Sequence, residues 1–121
     1  DGKGESFSNF PIRVVFKSVP RDTSIAQVSV LISVSKRRFK HAVNRNRVKR
    51  QIREAYRKNK HTLTEVMQCH TEENLLVGFL WLSNQLHKSN EVENKLHHLL
   101  LRISEQIRKN PTKGIENGNA V

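Results

Sequence analysis

Hydrophobic residues recur along this chain with two different periods, and the order of those periods predicts its elements. From Phe10 to Phe16 (FPIRVVF), Ile12, Val14 and Phe16 alternate with Arg13 and Val15, and Lys17 continues the outward set. A period of two belongs to a strand with one buried face, and Pro11 suits its start or an exposed edge. The preceding residues 1–9 are small and polar and predict a loop; VPRDTSI, residues 19–25, predicts a turn or loop. Val28 to Ser35 (VSVLISVS) alternates again, with Val28, Val30, Ile32 and Val34 on one side and Ser29, Leu31, Ser33 and Ser35 on the other. Two such runs with a short connection predict an antiparallel pair.

Beyond Lys36 the period becomes helical. At about 100° per residue, Val48, Ile52 and Ala55 share one stripe with Tyr56 at its edge, while Asn46, Arg50, Arg53 and Arg57 fall opposite. His61 to Asn74 is polar and predicts the end of this helix plus a connection. LLVGFLWL, Leu75 to Leu82, is almost continuously apolar, as expected of an interior strand covered on both faces. SNEVEN then offers Asn90 as N-cap with Glu93 three residues on. Behind it Val92, Leu96, Leu99, Leu100, Ile103 and Ile107 mark an amphipathic helix to about Lys109. The tail from Asn110 (NPTKGIENGNAV) predicts disorder. Strand, strand, basic helix, strand, helix gives a two-layer α+β sandwich: a small, mostly antiparallel sheet with helices on one face. Residues 1–109 form a single domain and 110–121 a tail.

Composition bounds this picture without changing it. A chain of 121 residues suits one compact domain, and 36% hydrophobic residues argue against disorder. No apolar run approaches the ~20 residues of a membrane span, so no membrane partner is expected. The N-terminus lacks the pattern of a secretion signal. The single Cys69 cannot form an internal disulfide, which makes the cytoplasm the expected compartment.

Charge does change the picture, through its location. Residues 36–60 hold 12 of the 22 Lys and Arg but one of the 11 acids, Glu54. The other 96 residues balance at 10 of each sign. Solubility needs no such concentration, whereas a polyanion partner does.

The remaining chemistry is that of a binder. A metal-dependent nuclease needs clustered carboxylates around Mg²⁺, and here the acids are scattered. His41, His61, His70, His87, His97 and His98 show no zinc spacing, and Cys69–His70 has no matching pair. No glycine-rich phosphate loop or nucleophile elbow is present. The chain is expected to hold no metal and no catalytic residue of its own. The Asn46, Arg50, Arg53 and Arg57 face spans ~16 Å at 1.5 Å per residue and suits consecutive phosphates, which Arg forks grip bidentately. Asn46 can read a base edge or hold a hydrated cation. Phe16 is a core residue by its period; exposed, it would stack on an unpaired base. On the residues alone, a general RNA-binding or ribosome-associated module and a DNA-binding helix remain alternatives.

One run narrows these. ISVSKRRFKHAVNRNRVKRQIREAYR, Ile32 to Arg57, resembles the signature of the bacterial ribonuclease P protein family: a strand ending in Ser-x-Lys, a turn, then Ala-Val-x-Arg-Asn-x-x-Lys-Arg-x-x-Arg-Glu. The matching positions are Lys36, Ala42, Val43, Arg45, Asn46, Lys49, Arg50, Arg53 and Glu54. FPIRVVF resembles the family's first strand, LLVGFLWL its last and EVENKLHHLLLRI its final helix, so the likeness covers roughly residues 7–107. It implies a left-handed β-α-β crossover through the basic helix. It also implies a protein subunit that helps the catalytic RNA of ribonuclease P remove the 5′ leader of precursor tRNA, an endonuclease reaction in tRNA processing. Hydrolysis is then carried by the RNA with its Mg²⁺, and no protein partner is required. The RNA-binding residues implied are Lys36, Arg45, Asn46, Lys49, Arg50 and Arg53, with Arg37 and Arg57 beside them. The leader is expected at Phe16, taken as the aromatic of the first strand, and at Arg13. The family usually opens with a helix carrying Arg-Leu and aromatic residues that walls the leader cleft, and this chain starts after its expected position. Many members also place a basic residue just after the last strand, where Leu82, Ser83 and Asn84 stand here.

Overall fold

A computed structural model describes residues 4–109. The elements are β1 (Glu5–Asn9), β2 (Ile12–Pro20), β3 (Val28–Ser33), α1 (Ala42–Asn59), α2 (His61–Met67), β4 (Glu73–Trp81) and α3 (Ser89–Lys109). The four strands form one sheet in the order β1-β2-β4-β3. β1 pairs antiparallel with β2 and β2 with β4, while β3 lies parallel to β4 and is joined to it by a crossover through α1 and α2. This is the expected α+β sandwich with a mostly antiparallel sheet.

The core lies between sheet and helices. Ile12, Val14 and Phe16 of β2 and Leu75, Val77, Phe79 and Trp81 of β4 meet Val48 and Ile52 of α1, with Leu96, Leu99, Leu100 and Ile103 of α3. Val48 and Ile52 are fully buried, and each contributes ~1.5–3 kcal/mol of transfer free energy. That burial holds α1 against the mutual repulsion of its outer cations. Phe39 is also buried and pins the turn before α1 to the same core.

Several expectations are corrected. Residues 5–9 are not loop but the edge strand β1, held through its pairing with β2 and through the Phe7 ring, which packs 5.5 Å from Phe16. β2 runs on through Val19 to Pro20, because Glu73 and Asn74 extend β4 far enough to pair with both. The two first-recognised strands do not pair with each other. The 21–27 segment instead passes around one end of β4: Arg21 N–H donates to Glu72 O at 3.0 Å and Leu75 N–H donates to Gln27 O at 2.7 Å. The most apolar strand thereby takes the interior position and separates β2 from β3. β3 ends at Ser33, two residues earlier than predicted.

The polar 61–74 stretch contains the short helix α2, whose Leu63, Val66 and Met67 are buried at a helical spacing. Polar residues around only three core positions hid that period. The Gln27 side-chain amide reaches the backbone oxygens of Met67 and His70, both at 2.9 Å, and so ties the start of β3 to the turn after α2. β4 is interior, but only one face is packed: Leu76 remains 36% exposed. Helix α3 begins at Ser89, so Asn90 lies inside its first turn rather than at the cap, and Val92 N–H already donates to Lys88 O. The predicted disordered tail, 110–121, lies outside the described residues.

Candidate nucleic-acid interface

Helix α1 presents its charge as the hydrophobic stripe requires. With Val48, Ile52, Ala55 and Asn59 buried, Asn46, Arg50, Arg53 and Arg57 point to solvent. Asn59 is accommodated among apolar neighbours because its Nδ2 donates to Ala55 O at 2.9 Å. The first turn carries no acid and the last turn carries Arg57 and Lys58, so the helix dipole opposes the cations at one end and favours them at the other.

Among the described residues, no ion pair or hydrogen bond engages the side chains of Lys49, Arg50 or Arg53. Arg57 differs: its guanidinium grips Glu54, with Nε 3.0 Å from Oε1 and Nη2 on Oε2. That hydrogen bond, aided by the charge of Arg57, holds the Glu54 carboxyl below its ordinary pKa and raises that of Arg57. The one acid of the basic block is thus neutralised by a neighbour on its own helix.

Arg45 is half-buried, because it lies seven residues before Ile52 and shares its flank. Its Nη1 donates to Phe39 O at 2.7 Å and Lys40 O at 3.0 Å, closing the turn onto the first helical turn. Lys36 and Arg37 stand exposed on that turn, which Ser35 shapes by accepting from Arg37 N–H at 2.9 Å. Lys36, Arg37, Asn46, Lys49, Arg50 and Arg53 therefore form one cationic surface. Arg45 supports it from behind and Arg57 borders it beside Glu54.

The two residues expected at the leader separate. Phe16 is only 6% exposed and faces the helices, packed on Phe7, so it presents no ring to solvent. Its strand period, not the resemblance, decides its place. Arg13 lies on the opposite, open face, with its guanidinium 3.5 Å from Ser6 Oγ.

Sequence reasoning missed what else lies on that face. The open face carries an apolar groove of about 480 Å³, lined by Val15, Lys17, Leu31, Leu76 and Gly78 among others. A Cβ at Gly78 would stand 3.1 Å from Val15 Cγ2, so the missing side chain deepens the groove floor. The same alternation that identified the inward residues of β2 marks Val15 and Lys17 as outward; reading β4 as covered on both faces concealed their common surface. Arg47 was also missed. It lies about 60° around the helix from Arg50 and turns toward the start of α3, where Arg47, Arg50, Gln51, Glu54 and Ser89 line a polar recess of about 400 Å³.

Three comparisons place this geometry among known proteins. The family model described as Ribonuclease P matches residues 2–104. The ribonuclease P protein component of Porphyromonas gingivalis is 38% identical over 116 residues, covering 96% of this chain and 81% of that protein. The solved RNase P protein of Thermotoga maritima superposes with a TM-score of 0.61 at 22% identity, over 83% of this chain and 84% of that one. The Staphylococcus aureus RNase P protein superposes with a TM-score of 0.51 at 26% identity, over 80% and 78% of the two chains. Matched by that family model from residue 2 to residue 104 and 38% identical to a ribonuclease P protein component over 96% of its length, this chain belongs to the ribonuclease P protein family.

Proposed function

We propose that this chain serves as the protein component of ribonuclease P by docking the outer face of α1 on the catalytic RNA. The 5′ leader of precursor tRNA then crosses the open sheet face, and the RNA with its own Mg²⁺ breaks the phosphodiester bond. The protein contributes charge neutralisation and positioning. The observation that carries this reading is the exposed Asn46, Arg50 and Arg53 ridge, fixed outward by buried Val48 and Ile52. The helix fixes where these side chains start, and the planar guanidinium fork meets phosphate oxygens with less lost freedom per hydrogen bond than a lysine would.

Leader contact rests on the groove rather than on Phe16. Arg13 and Lys17 supply cations on the open face, and Val15, Leu31 and Leu76 supply an apolar floor. Such a surface grips a backbone and covers bases without reading their edges, so it suits leaders of varied sequence.

The test is reconstitution with a catalytic RNA and measurement of 5′-leader removal at low Mg²⁺. The chain is expected to rescue cleavage, and the Arg50→Ala/Arg53→Ala double variant to fail while remaining folded. Normal rescue by that variant refutes the role of the α1 face. Arg13→Ala/Lys17→Ala should raise KM for a long-leader substrate more than for one with a single leader nucleotide; an equal effect on both removes the leader from the sheet.

A further inference from the structure

The connector from Leu82 to Lys88, together with the turns beside it, brings Phe10, His87 and Arg47, which the α1 ridge and the sheet groove leave unused, close to Arg50 at the margin of that ridge. Phe10, on the β1–β2 turn, is 59% exposed, yet its surroundings are firmly placed. Pro11 beside it is buried and its carbonyl accepts from Leu82 N–H at 2.8 Å, while Asn9 Nδ2 donates to Lys95 O at 3.2 Å. The ring meets His87 edge-on with centroids 6.1 Å apart, and His87 in turn meets buried Trp81 edge-on at 5.4 Å. His87 is itself held from both sides, with Nδ1 3.1 Å from Glu91 Oε2 and Nε2 3.1 Å from Ser83 Oγ. Leu86, next to it, is 39% exposed.

The other side of this connector is the recess of Arg47, Arg50, Gln51, Glu54 and Ser89. Gln51 joins the two, since its Nε2 donates to His87 O at 2.9 Å and to Ser89 Oγ at 3.1 Å. Glu54 lines the recess but its carboxylate is committed to Arg57. Among the described residues neither Arg47 nor Arg50 has an acidic partner. An exposed ring and a cationic recess therefore flank one short connector. A solvent-exposed phenylalanine costs the free protein apolar hydration, and a pair of uncompensated arginines costs it repulsion. Both are relieved by one kind of ligand: an unpaired stretch of nucleic acid, whose bases stack on aromatic faces while its phosphates take guanidinium groups.

We infer that Phe10 and the Arg47–Arg50 recess form a second, single-strand-specific RNA subsite at the end of the sheet. An unpaired base stacks on Phe10, and the backbone crosses the 82–88 connector to place a phosphate in the recess. The inference rests on the ribonuclease P reading for the identity of the RNA, but not for the stacking chemistry. It shares Arg50 with the α1 ridge but needs unpaired bases, and it differs from the sheet groove in lying at the β1–β2 turn and using a ring.

The test uses the full chain with two fluorescently labelled probes of equal length, a single-stranded RNA and a blunt RNA duplex, in anisotropy titrations at fixed salt. Phe10→Leu should weaken single-strand binding about tenfold, as expected for loss of one stacked base, and leave duplex binding unchanged. Phe10→Trp should restore it. Arg47→Gln should weaken single-strand binding more than duplex binding. In the unaltered protein, 2-aminopurine placed along the single strand should change its emission on binding at one or two positions only, as it leaves its neighbouring bases for the ring, a readout that does not depend on any variant folding. Wild-type affinity of Phe10→Leu for the single strand, equal loss on both probes, or the same emission change at every position overturns the inference. Rescue of leader removal by the unaltered chain, measured in parallel, separates the two readings: rescue without stacking leaves the ribonuclease P reading standing and removes the subsite, and stacking without rescue does the reverse.

Discussion

Replacing Arg50 and Arg53 together by Ala separates the two things α1 does. Both side chains are exposed, and neither makes a hydrogen bond or ion pair among the described residues, so no folded-state contact is lost. At spacings of three and four the change removes four like-charge pairs, Arg47–Arg50, Arg50–Arg53, Lys49–Arg53 and Arg53–Arg57, against one attractive pair, Arg50–Glu54. Alanine is also the better helix former. The thermal midpoint should therefore hold or rise slightly at low salt. RNA binding should respond in the opposite direction. If each arginine neutralises one phosphate, the slope of log K against log salt becomes shallower by about 0.7–0.9 per residue, or about 1.4–1.8 for the pair. Between 50 and 200 mM salt, wild-type binding should consequently weaken roughly tenfold more than binding by the double variant. The assay is filter binding or anisotropy with the catalytic RNA across a salt series, alongside a melting curve. An unchanged slope means these guanidinium groups do not meet phosphate. A large fall in melting temperature means that the helix needs them for packing, against the placement of its buried stripe.

Ile52→Ala tests the underside of the same helix. With Ile52 fully buried, the loss should be about 2–5 kcal/mol, lowering the urea midpoint by about 1–2.5 M at a slope of about 2 kcal/mol per M; a shift within error would show that α1 is not anchored there. Glu54→Gln should free Arg57 and steepen the salt dependence of RNA binding by about one phosphate contact, and an unchanged slope would leave Arg57 outside the interface. The same substitution gives a pH test. The folded-state pKa of Glu54 is lowered, chiefly by its hydrogen bond to Arg57, so its contribution is present above the unfolded value near 4.5 and fades as pH falls through the folded one. Part of the acid-side loss of stability should vanish in the variant, as followed by melting curves between pH 6 and 2, and identical acid limbs would show that the pair is not formed in solution.

The basic helix was legible because two independent signals coincide in it. The 3.6-residue stripe of Val48, Ile52 and Ala55 fixes which side is buried, and the cations fall on the rest. Helix α3 was legible for the same reason, through Leu96, Leu99, Leu100 and Ile103. Its first residue was not, because Asn90 and Glu93 satisfy a capping pattern that Ser89 and Lys88 pre-empt in the folded chain. Helix α2 escaped because three buried residues within seven make too short a pattern to stand out from polar neighbours. The helical period alone placed the ridge, whereas the family likeness put Phe16 at the leader although its ring is buried: a motif match transfers a residue type, while the alternation of β2 fixes the face on which that residue lies.

The sequence by itself determined the inward and outward sets of the strands and of the two long helices, because local backbone geometry sets those periods, and it determined that the excess charge lies in one block, residues 36–60. Only the tertiary structure decided which strands are neighbours, since pairing depends on distant segments competing for the centre of the sheet, a place the most apolar strand takes. It also decided that Arg45 turns back onto the carbonyls of Phe39 and Lys40. The assembly of the open-face groove from β2, β3 and β4, and the meeting of Phe10, His87 and the Arg47–Arg50 recess around one connector, were likewise settled by the fold. Those sites combine residues dozens of positions apart, and no local period carries information about contacts at that separation.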